Sequence, residues 1–268
     1  MIPVSVVIIT NNEAEAIVAC VNACKLISDD IVIIDNDSTD GTPIIGNLSG
    51  CRVFNEHWDG YGANKNKGIK HAKYDWILSI DADEIPDMDL VRALHETNLG
   101  DPLTVFDIRF ISYYCSKPIR FGTWGRDHHI RLFNQKIVKW DEPPVHESLV
   151  LPAAIQVKKL KGHIHHYSVK DVHEGYDKTL HYARLSAEKY YQAGKKATFT
   201  KLYLAPAFHF VKNYVAYLGC LDGKKGMDIA LMIARHTRFK YRMLRKMSTR
   251  PHIEVSQVKD NLIVEYQH

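Results

Sequence analysis

Short apolar segments alternate with helical segments through the first hundred residues of this chain. Four apolar runs predict buried strands, at residues 4–10, 31–34, 51–54 and 76–80. Three segments between them predict helices, at residues 12–26, 42–48 and 64–72. Strands that alternate with helices favour a parallel sheet, in which ligands bind at the carboxyl ends of the strands. Because polar clusters follow the predicted strand ends, we expect them to line one crevice.

The pattern changes in the remainder of the chain. Residues 103–167 are rich in predicted strands, at 104–111, 129–134 and 155–167. Beyond residue 169 the spacing is helical, over 172–192, 202–221 and 223–245. A chain of 268 residues is long for one small domain. We therefore expect a domain over residues 1–168, with a division near residue 100, and a helical extension over residues 169–268.

Three carboxylates follow the predicted strand at residues 76–80. Asp81 and Asp83 are two positions apart, so in an extended chain their side chains point to the same side. Two such carboxylates repel each other unless a cation lies between them, and Mg²⁺ or Mn²⁺ is the natural candidate. The alternative is a solvated acidic turn before a helix that starts near Pro86. Glu84 either supports the site from behind or is exposed.

A second polar cluster, residues 35–41, follows the predicted strand at 31–34. Its acidic and amide groups could hydrogen-bond a base or a ribose, and Ser38 or Thr39 could cap the next helix. The alternative is a turn rich in Asp and Asn that makes only local hydrogen bonds.

Four motifs occur in a fixed order: Val4 to Glu13, Val32 to Thr42, Asn64 to Gly68, and Asp81-Ala-Asp83. This series resembles the family 2 glycosyltransferases. The resemblance implies an α/β fold of the GT-A type, a Rossmann-like and mostly parallel sheet flanked by helices, here with a C-terminal helical extension. It also implies a nucleotide-binding part over about residues 1–100 and an acceptor-side part over about 101–168.

The resemblance assigns roles to residues of the first two loops. Thr10, Asn12 and Glu13 would face the nucleotide. Asp35 and Asn36 stand where the family often has adjacent Asp residues, the second of which contacts uracil. Asn36 departs from that pattern, but its carbonyl oxygen can still accept a hydrogen bond from uracil N3–H.

Further roles carry over to the third and fourth motifs. Lys65 stands where the family often has Arg and would lie near base or phosphate, although a solvated helix position is the alternative. Asp81 and Ala82 would contact the nucleotide. Asp83 would coordinate the metal directly, whereas Asp81 would reach the ribose or a metal-bound water.

Residues 140–147 contain three carboxylates that could serve as a general base, which an inverting sugar transfer requires. Arg131-Leu-Phe133 followed by Val145-His-Glu147 resembles the WaaE-type subgroup, which extends the inner core of bacterial lipopolysaccharide. That resemblance implies that Glu147 is the base and that His146 orients it. The alternative is a surface carboxylate after a Pro-Pro turn.

The loop at residues 122–131 combines Gly, Trp, Arg and His. Trp124 could stack on a sugar face, and Arg126 or Arg131 could bind an acceptor or donor phosphate. The loop could equally be a turn with a packed Trp. Because the subgroup resemblance includes Arg131, it is the stronger arginine candidate.

Residues 163, 165 and 166 are histidines in one predicted strand. They lack a neighbouring Cys or acid to complete a tetrahedral site, and a strand histidine is usually structural. The resemblance implies His166 as a metal ligand, with His165 as the alternative.

Positive charge is concentrated near the C-terminus. Residues 224–250 contain nine Lys or Arg and one acid, Asp228. A basic amphipathic helix is typical of an element on an anionic membrane surface. The alternative is a helix packed on the catalytic domain with a solvated basic face. Nucleic acid is not expected, since no recognised binding motif accompanies the patch.

The five cysteines are odd in number and lack metal-type spacing, which favours a reducing cytoplasm. Cys20 and Cys24 are expected to face the core. The apolar start has no basic segment and no small-residue cleavage site, so no secretory signal is expected. We therefore expect a cytoplasmic protein, peripheral on the inner face of a bacterial cytoplasmic membrane.

The sequence thus predicts an inverting, metal-dependent transferase that moves a hexose, glucose from UDP-glucose, onto a heptose of a lipid-linked lipopolysaccharide inner core. A different cell-surface polysaccharide is the competing acceptor. Two further function classes stay open: a metal-dependent phosphohydrolase that uses Asp81 and Asp83, and a non-catalytic protein that binds nucleotide sugars.

Overall fold

The computed structural model describes residues 1–142 and 147–249. The elements up to residue 96 are β1 (Val4–Thr10), α1 (Ile17–Cys24), β2 (Asp30–Asp35), α2 (Thr42–Leu48), β3 (Arg52–Asn55), α3 (Tyr61–Lys70), β4 (Trp76–Asp81), β5 (Glu84–Pro86) and α4 (Met88–Glu96). Those that follow are β6 (Thr104–Tyr114), β7 (Lys117–Pro118), β8 (His128–Asn134), β9 (Lys139–Trp140), β10 (Leu149–Val150), β11 (Gln156–Val169), α5 (Val172–Gln192), α6 (Phe199–Val211) and α7 (Gly223–Thr249).

Within the described residues, nine strands form one sheet in the order β3-β2-β1-β4-β8-β6-β11-β5, with β7 paired to β6. The first four strands in this order run parallel. Strand β8 is antiparallel to both β4 and β6, and β6 and β11 are again parallel. The predicted GT-A fold class is therefore confirmed, with an antiparallel strand between two parallel groups.

Both faces of the parallel part are covered. All seven residues of β1 are buried. Val6 and Ile8 pack in one core with residues of α1 and α4, while Val7 and Ile9 pack in a second core on the other face. Burial on both faces explains why the strands read as continuous apolar runs. Cys20 and Cys24 are free thiols buried in the first core, as predicted.

Four predicted helices differ in extent from the observed ones. The segment 64–72 is observed as Tyr61–Lys70 and 223–245 as Gly223–Thr249, and the two larger differences lie in 12–26 and 202–221. The segment 12–26 becomes helical only at Ile17, because the residues before it bond to the loop after β2. Asn12 takes a left-handed φ of 57°, which cannot continue a helix. The segment 202–221 contains α6 up to Val211, then a π turn and a 3₁₀ turn with Leu218 at φ 59°.

The chain divides into two compact units, Met1–Val172 and His173–His268. In the second unit, α6 and α7 pack together. The apolar face of α7 packs against Ala183 and Ala187 of α5 through Phe239, Met243, Leu244 and Met247. No helix in the described part of the chain is both long and apolar enough to cross a membrane.

Candidate active site

The predicted strand ends meet at one edge of the sheet. In the parallel register Thr10 lies beside Asp35, and Ile9 lies beside Asp81. The polar residues that end β1, β2 and β4 are therefore neighbours in space, although they are far apart in the chain. The carboxyl ends of these strands thus lie side by side, which is where the alternating pattern predicts ligand binding.

The loop after β1 and the loop after β2 are joined by hydrogen bonds. The Asn36 N–H donates to the Thr10 carbonyl oxygen at 2.9 Å. The Asn12 N–H donates to Ser38 Oγ at 2.8 Å, and Asn12 Oδ1 accepts from the Thr39 N–H at 2.8 Å. Asn12, predicted to face a nucleotide, thus uses these groups to hold the two loops together.

Glu13 belongs to the same loop pair. Its backbone N–H donates to Thr42 Oγ1 at 2.9 Å, at the start of α2. The loop at residues 35–41 is therefore more than a local turn, because its hydrogen bonds extend to a separate segment of the chain.

Several buried polar atoms at this edge have no hydrogen-bond partner. They are Thr10 Oγ1, Asp35 Oδ1, Asn36 Oδ1 and both amide atoms of Asn64. Asn36 Nδ2 donates to the Glu56 carbonyl oxygen at 2.8 Å, which leaves its Oδ1 as an available acceptor. Since unpaired buried polar groups cost free energy, this cluster indicates a site for a polar ligand.

Five charged side chains form a continuous series of ion pairs. Glu84 Oε1 lies 2.5 Å from Arg131 Nη2, which lies 3.2 Å from Asp81 Oδ2. Lys65 Nζ lies 3.4 Å from Asp81 Oδ1 and 2.8 Å from Glu147 Oε1. We call these five residues the ion-pair series; it connects the Asp-x-Asp segment directly to the predicted base.

The burial of Lys65 and of Glu84 settles whether each of these side chains is solvated. Lys65 is only 2% exposed, so it is not a solvated helix residue, and its Nζ also lies 4.7 Å from the centre of the Trp140 ring. Glu84 is 1% exposed and accepts a hydrogen bond from the Asp81 N–H at 2.9 Å. Glu84 therefore supports the site from behind and does not face solvent.

The site carries an excess of negative charge. Burial opposes the ionisation of Asp81, but Lys65 and Arg131 outweigh it and hold the pKa of Asp81 well below its usual range. Burial raises the pKa of Glu84 above its usual value despite the Arg131 ion pair. Four carboxylates, Asp81, Asp83, Glu84 and Glu147, lie here with three cations, Lys65, Arg131 and protonated His166. With every carboxylate ionised the formal balance is −4 + 3 = −1. A site of this charge attracts a cation.

Asp83 and His166 lie together at this edge. His166 Nε2 is 3.3 Å from Asp83 Oδ2, and both side chains are about a quarter exposed. Burial lowers the basicity of His166, but the carboxylates of Asp83, Glu84 and Asp81 raise its pKa to about 9. His165, the alternative ligand, instead contacts the Tyr113 hydroxyl through Nδ1 at 3.0 Å.

These residues fit a divalent cation that is bound together with its substrate. No group of three or more His, Cys, Asp or Glu suited to a metal occurs among the described residues. Mg²⁺ commonly uses one or two carboxylates and completes its shell with waters and substrate phosphates. Asp81 and Asp83 supply the two carboxylates of such a partial set, and His166 lies beside Asp83.

A hairpin of β9 and β10 carries Glu147. Asn66 of α3 bonds both backbone groups of Trp140, at 3.1 Å to its N–H and 3.0 Å to its carbonyl oxygen. On the loop side of the paired residues Trp140 and Leu149, the Asp141 N–H donates to the Ser148 carbonyl oxygen at 2.9 Å. A Cβ placed on Gly62 would lie 1.9 Å from the Asp141 carbonyl oxygen, so only glycine allows α3 and this hairpin to approach so closely.

The remaining predicted residues are distributed as follows. Arg131 is 6% exposed and keeps Nε and Nη1 without a hydrogen-bond partner, so it could still donate to a phosphate. Trp124 and Arg126 form a 3₁₀ turn, in which the Trp124 ring meets Tyr114 edge-on. Ala82 is buried in the core. His146 lies outside the described residues.

A cleft of about 670 Å³ brings several of these groups to one surface. Its walls include Lys65, Asp81, Arg131, Trp140 and Glu147. It contains two cations, a metal-type carboxylate and a candidate base. Such a set can bind an anionic leaving group and take a proton from an attacking hydroxyl.

Sequence reasoning missed three residues of this site. Asn64 lies in the third motif and Trp140 in the segment 140–147. The sequence pattern assigned roles to other residues of these segments but none to Asn64 or Trp140. Gly62 has no polar side chain, and its role follows only from the approach of a hairpin that is about eighty positions away in the chain. The signal available for Asn64 was its position beside Lys65 in a polar helix start.

Comparisons with known proteins agree with this chemistry. The model of the family "Glycosyl transferase family 2" matches residues 5–161. An uncharacterized glycosyltransferase of Rickettsia prowazekii is 26% identical over 257 residues, which cover 91% of this chain and 87% of the relative. The lipopolysaccharide core biosynthesis glycosyltransferase LpsC of Rhizobium meliloti is 26% identical over 220 residues, or 80% of this chain and 81% of the relative.

Two solved structures are also similar. S. aureus TarS covers 94% of this chain and 92% of its own, at 13% identity and a TM-score of 0.45. Glucosyl-3-phosphoglycerate synthase of Mycobacterium tuberculosis, solved with Mn²⁺, UDP-glucose and phosphoglyceric acid, covers 41% of this chain and 43% of its own, at 25% identity and a TM-score of 0.34. Neither TM-score reaches 0.5, so these likenesses say nothing about substrate. The family match spans more than half of the chain and agrees with the ordered strand-end motifs: the chain belongs to glycosyl transferase family 2 and is a glycosyltransferase.

Proposed function

We propose that this glycosyltransferase moves a hexose, glucose from UDP-glucose, onto an acceptor hydroxyl with inversion at the anomeric carbon. The single observation that carries the proposal is the ion-pair series, in which Lys65 contacts both Asp81 and Glu147. Asp81, at the proposed diphosphate site, and Glu147, the candidate base, thus contact the same cation, Lys65. We refer to residues 1–100 as the donor half and to residues 101–168 as the acceptor half.

The donor half would supply the nucleotide site. Thr10, Asp35 and Asn36 offer buried, unpaired polar atoms at adjoining strand ends. The free acceptor of Asn36 is matched to uracil N3–H, which donates, and is mismatched to cytosine N3, which accepts. That match supports UDP over CDP.

A divalent cation, Mg²⁺ or Mn²⁺, would be held by Asp83, Asp81 and His166 and would neutralise charge on the departing diphosphate. The formal excess of negative charge supports this assignment, as does Asp81 Oδ1, which is buried and makes no hydrogen bond although Lys65 Nζ lies 3.4 Å away. Lys65 and the unpaired groups of Arg131 would bind oxygens of the same leaving group.

Glu147 acts as the general base. It removes the proton of the acceptor hydroxyl while that oxygen attacks the anomeric carbon, and the bond from that carbon to the diphosphate oxygen breaks on the opposite side. Lys65 orients the Glu147 carboxylate through the 2.8 Å contact, and Asn66 fixes the hairpin that carries it. The resemblance also assigns the orienting of the base to His146, which lies outside the described residues.

We propose a heptose-containing, lipid-linked oligosaccharide of the lipopolysaccharide inner core as the acceptor. The support is the name of the Rhizobium relative, which places that protein in lipopolysaccharide core biosynthesis, together with the WaaE-type motifs around Arg131 and Glu147. Another cell-surface polysaccharide is the competing acceptor. Trp124 and Arg126 lie on the acceptor half and would contact the acceptor there.

We further propose that the C-terminal unit binds an anionic membrane surface on the cytoplasmic side. The apolar face of α7 is covered by α5, so α7 contributes its basic face, with Arg235, Arg238, Arg245 and Lys246 exposed. Exposed apolar side chains come instead from α6 and the turns after it: Phe199, Tyr203, Leu204, Phe208, Val211, Val215, Leu218 and Leu221. The C-terminal unit therefore presents both large apolar and basic side chains to solvent, a combination typical of a protein that binds a lipid interface.

Sedimentation with vesicles tests the membrane proposal. Wild type should bind phosphatidylglycerol vesicles and bind pure phosphatidylcholine vesicles weakly. L204S/F208S should reduce binding to both, while R235Q/R238Q should reduce binding to the anionic vesicles only. A concentration-dependent dimer that forms without lipid and is lost in L204S/F208S would contradict the proposal, because a second copy would then cover this face.

A donor screen tests the catalytic proposal. UDP-sugars with Mg²⁺ or Mn²⁺ should raise the melting temperature by about 4 °C or more at saturation, and EDTA should remove the effect. GDP-sugars should not stabilise the protein, and CDP-sugars should stabilise it less than UDP-sugars do. Transfer of labelled glucose to heptose-containing core oligosaccharide should follow. Release of phosphate without sugar transfer, or UDP-sugar binding without any turnover on either acceptor class, would contradict it.

A further inference from the structure

A second cleft, of about 490 Å³, lies in the acceptor half. Four side chains that line it carry permanent positive charge and are exposed: Arg109, Arg126, Lys159 and Lys161. The one carboxylate in its lining, Asp107, is already engaged by His128 Nδ1 at 2.9 Å. We call it the basic cleft; it presents a concave surface with a formal charge of +4 − 1 = +3.

An irregularity in the backbone of β11 determines where two of these cations, Lys159 and Lys161, lie. Strands β6 and β11 pair in parallel, but the register shifts between Lys159 and His163, so Lys161 stands on a bulge. Gly162 lies within it at φ +85°, and a Cβ there would be 2.1 Å from the Leu90 N atom of α4. The bulge is thus held against α4, and this packing fixes the backbone from which Lys161 extends.

The opposite wall is fixed in a similar way. Arg109 Nη2 donates to the Gly125 carbonyl oxygen at 3.2 Å, which ties β6 to the turn that carries Arg126. A Cβ on Gly125 would lie 2.1 Å from the Arg120 carbonyl oxygen, so the turn is tightly packed. The basic cleft therefore has two supported walls rather than a set of unrelated surface side chains.

The basic cleft adjoins the cleft that contains Glu147. Asp107 and His128 line both. The 670 Å³ cleft extends from Asp81 and Glu147 toward this shared wall, and the basic cleft lies beyond it. None of the strand-end residues of the donor half lines the basic cleft among the described residues. A molecule that reaches from Glu147 across the wall would be the acceptor and not the nucleotide.

We propose that the basic cleft binds a phosphate or carboxylate group of the acceptor, carried outside the sugar that receives the hexose. This inference rests on the proposed function, because it takes Glu147 to mark the reacting hydroxyl. Guanidinium groups bind such oxyanions in a fork, and ammonium groups add point charge. The subsite would select acceptors that are anionic near the reacting sugar over neutral ones of the same shape.

Titration with inorganic phosphate tests the proposal directly. The full-length protein is first saturated with UDP and Mg²⁺, so the diphosphate site is filled. Phosphate should still bind, and K159Q/K161Q should weaken that binding about fivefold, since each exposed charge contributes modestly. The matched double variant K117Q/K136Q removes the same charge from exposed lysines elsewhere and should change the phosphate Kd by less than about twofold.

The outcomes separate this inference from the proposed function. If UDP fails to bind, the proposed function fails, whatever phosphate does. If UDP binds normally but phosphate binding is lost when UDP is added, or falls equally in both double variants, the basic cleft is not an anion subsite. Glucose 1-phosphate, galacturonate and neutral methyl glucoside show whether the basic cleft prefers a phosphate or a carboxylate. Equal binding of all three sugars would overturn the proposal.

Discussion

The donor half and the acceptor half present opposite kinds of polar surface. In the donor half the candidate ligand groups are short, buried side chains such as Thr10, Asn36 and Asn64, fixed by strand ends and by loops that bond to each other. In the acceptor half the candidates are long, exposed Arg and Lys side chains around β6 and β11. The buried groups lose little side-chain entropy on binding, whereas the exposed ones must be ordered and are screened by salt. The difference suggests a preformed nucleotide site beside a charge-selective acceptor site.

The largest effect is expected from Asp83→Asn, which belongs to the donor half. Loss of this carboxylate removes one proposed ligand of the divalent cation, and transfer should fall about 10³-fold. Metal-dependent UDP stabilisation should fall with it. Asp89→Asn, on the exposed side of α4, should change neither measurement. Unchanged UDP stabilisation in Asp83→Asn would show that the metal is held elsewhere.

Lys65→Met tests the connection between the halves. The methionine keeps most of the apolar stem over Trp140 but leaves Asp81 and Glu147 without their shared cation. Breaking such a buried pair should lower the free energy of unfolding by about 3 kcal/mol in EDTA, measured by chemical denaturation. Lys70→Met lies exposed on the same helix and should have little effect. Equal stability of the two variants would contradict the ion-pair series.

Gly62→Ala lies in the donor half but should impair the acceptor half. Its Cβ would displace the Asp141 carbonyl and with it the hairpin that carries Glu147. Since a displacement of about 1 Å can cost 10²-fold in rate, we expect a loss of about that size in turnover with little change in the Kd for UDP. Gly100→Ala meets only an exposed Asn98 side chain and serves as the control. A parallel loss of UDP binding would place the damage in the donor half.

The smallest effect is expected from Asn36→Ala. It removes one hydrogen-bond acceptor for uracil, and the Kd for UDP should rise about tenfold while that for CDP stays nearly constant. Asn47→Ala, on the exposed face of α2, is the matched control for the loss of an amide. Calorimetric titration with UDP and with CDP measures both Kd values. An equal change in the two Kd values would show that Asn36 does not recognise the base.

Much of the fold could be predicted from the sequence because the spacing of apolar residues in a helix or strand is visible within a few residues. The bounds of β1, α2 and α5 agree with the predicted segments 4–10, 42–48 and 172–192. Helix α1 starts late because Asn12 bonds to Ser38 and Thr39, about 26 positions away, and no local period encodes such a contact. The apolar face of α7 was visible as a helical pattern, but the sequence did not show that this face packs on α5.

The site shows the same limit. Asp81 could be placed at a strand end because it follows the apolar run at residues 76–80. The expectation of an extended chain from Asp81 to Asp83 was wrong, since β4 ends at Asp81 and Asp83 lies in the turn before β5. Whether Lys65 is solvated or buried could not be decided, because Lys is usually exposed and its burial depends on two carboxylates from other segments. The approach of the β9–β10 hairpin to Gly62 likewise depends on tertiary packing. These are the contacts that turn separate motifs into one reactive cleft.

Glu147→Gln removes the proposed base without changing the size of its side chain. If Glu147 is the base, turnover should fall about 10³-fold, as in Asp83→Asn, while the Kd for UDP stays within about twofold of wild type. Glu96→Gln, an exposed carboxylate of α4, should retain full turnover. Substantial turnover in Glu147→Gln would contradict the account and require another base, and loss of UDP binding would show that Glu147 belongs to the donor site instead.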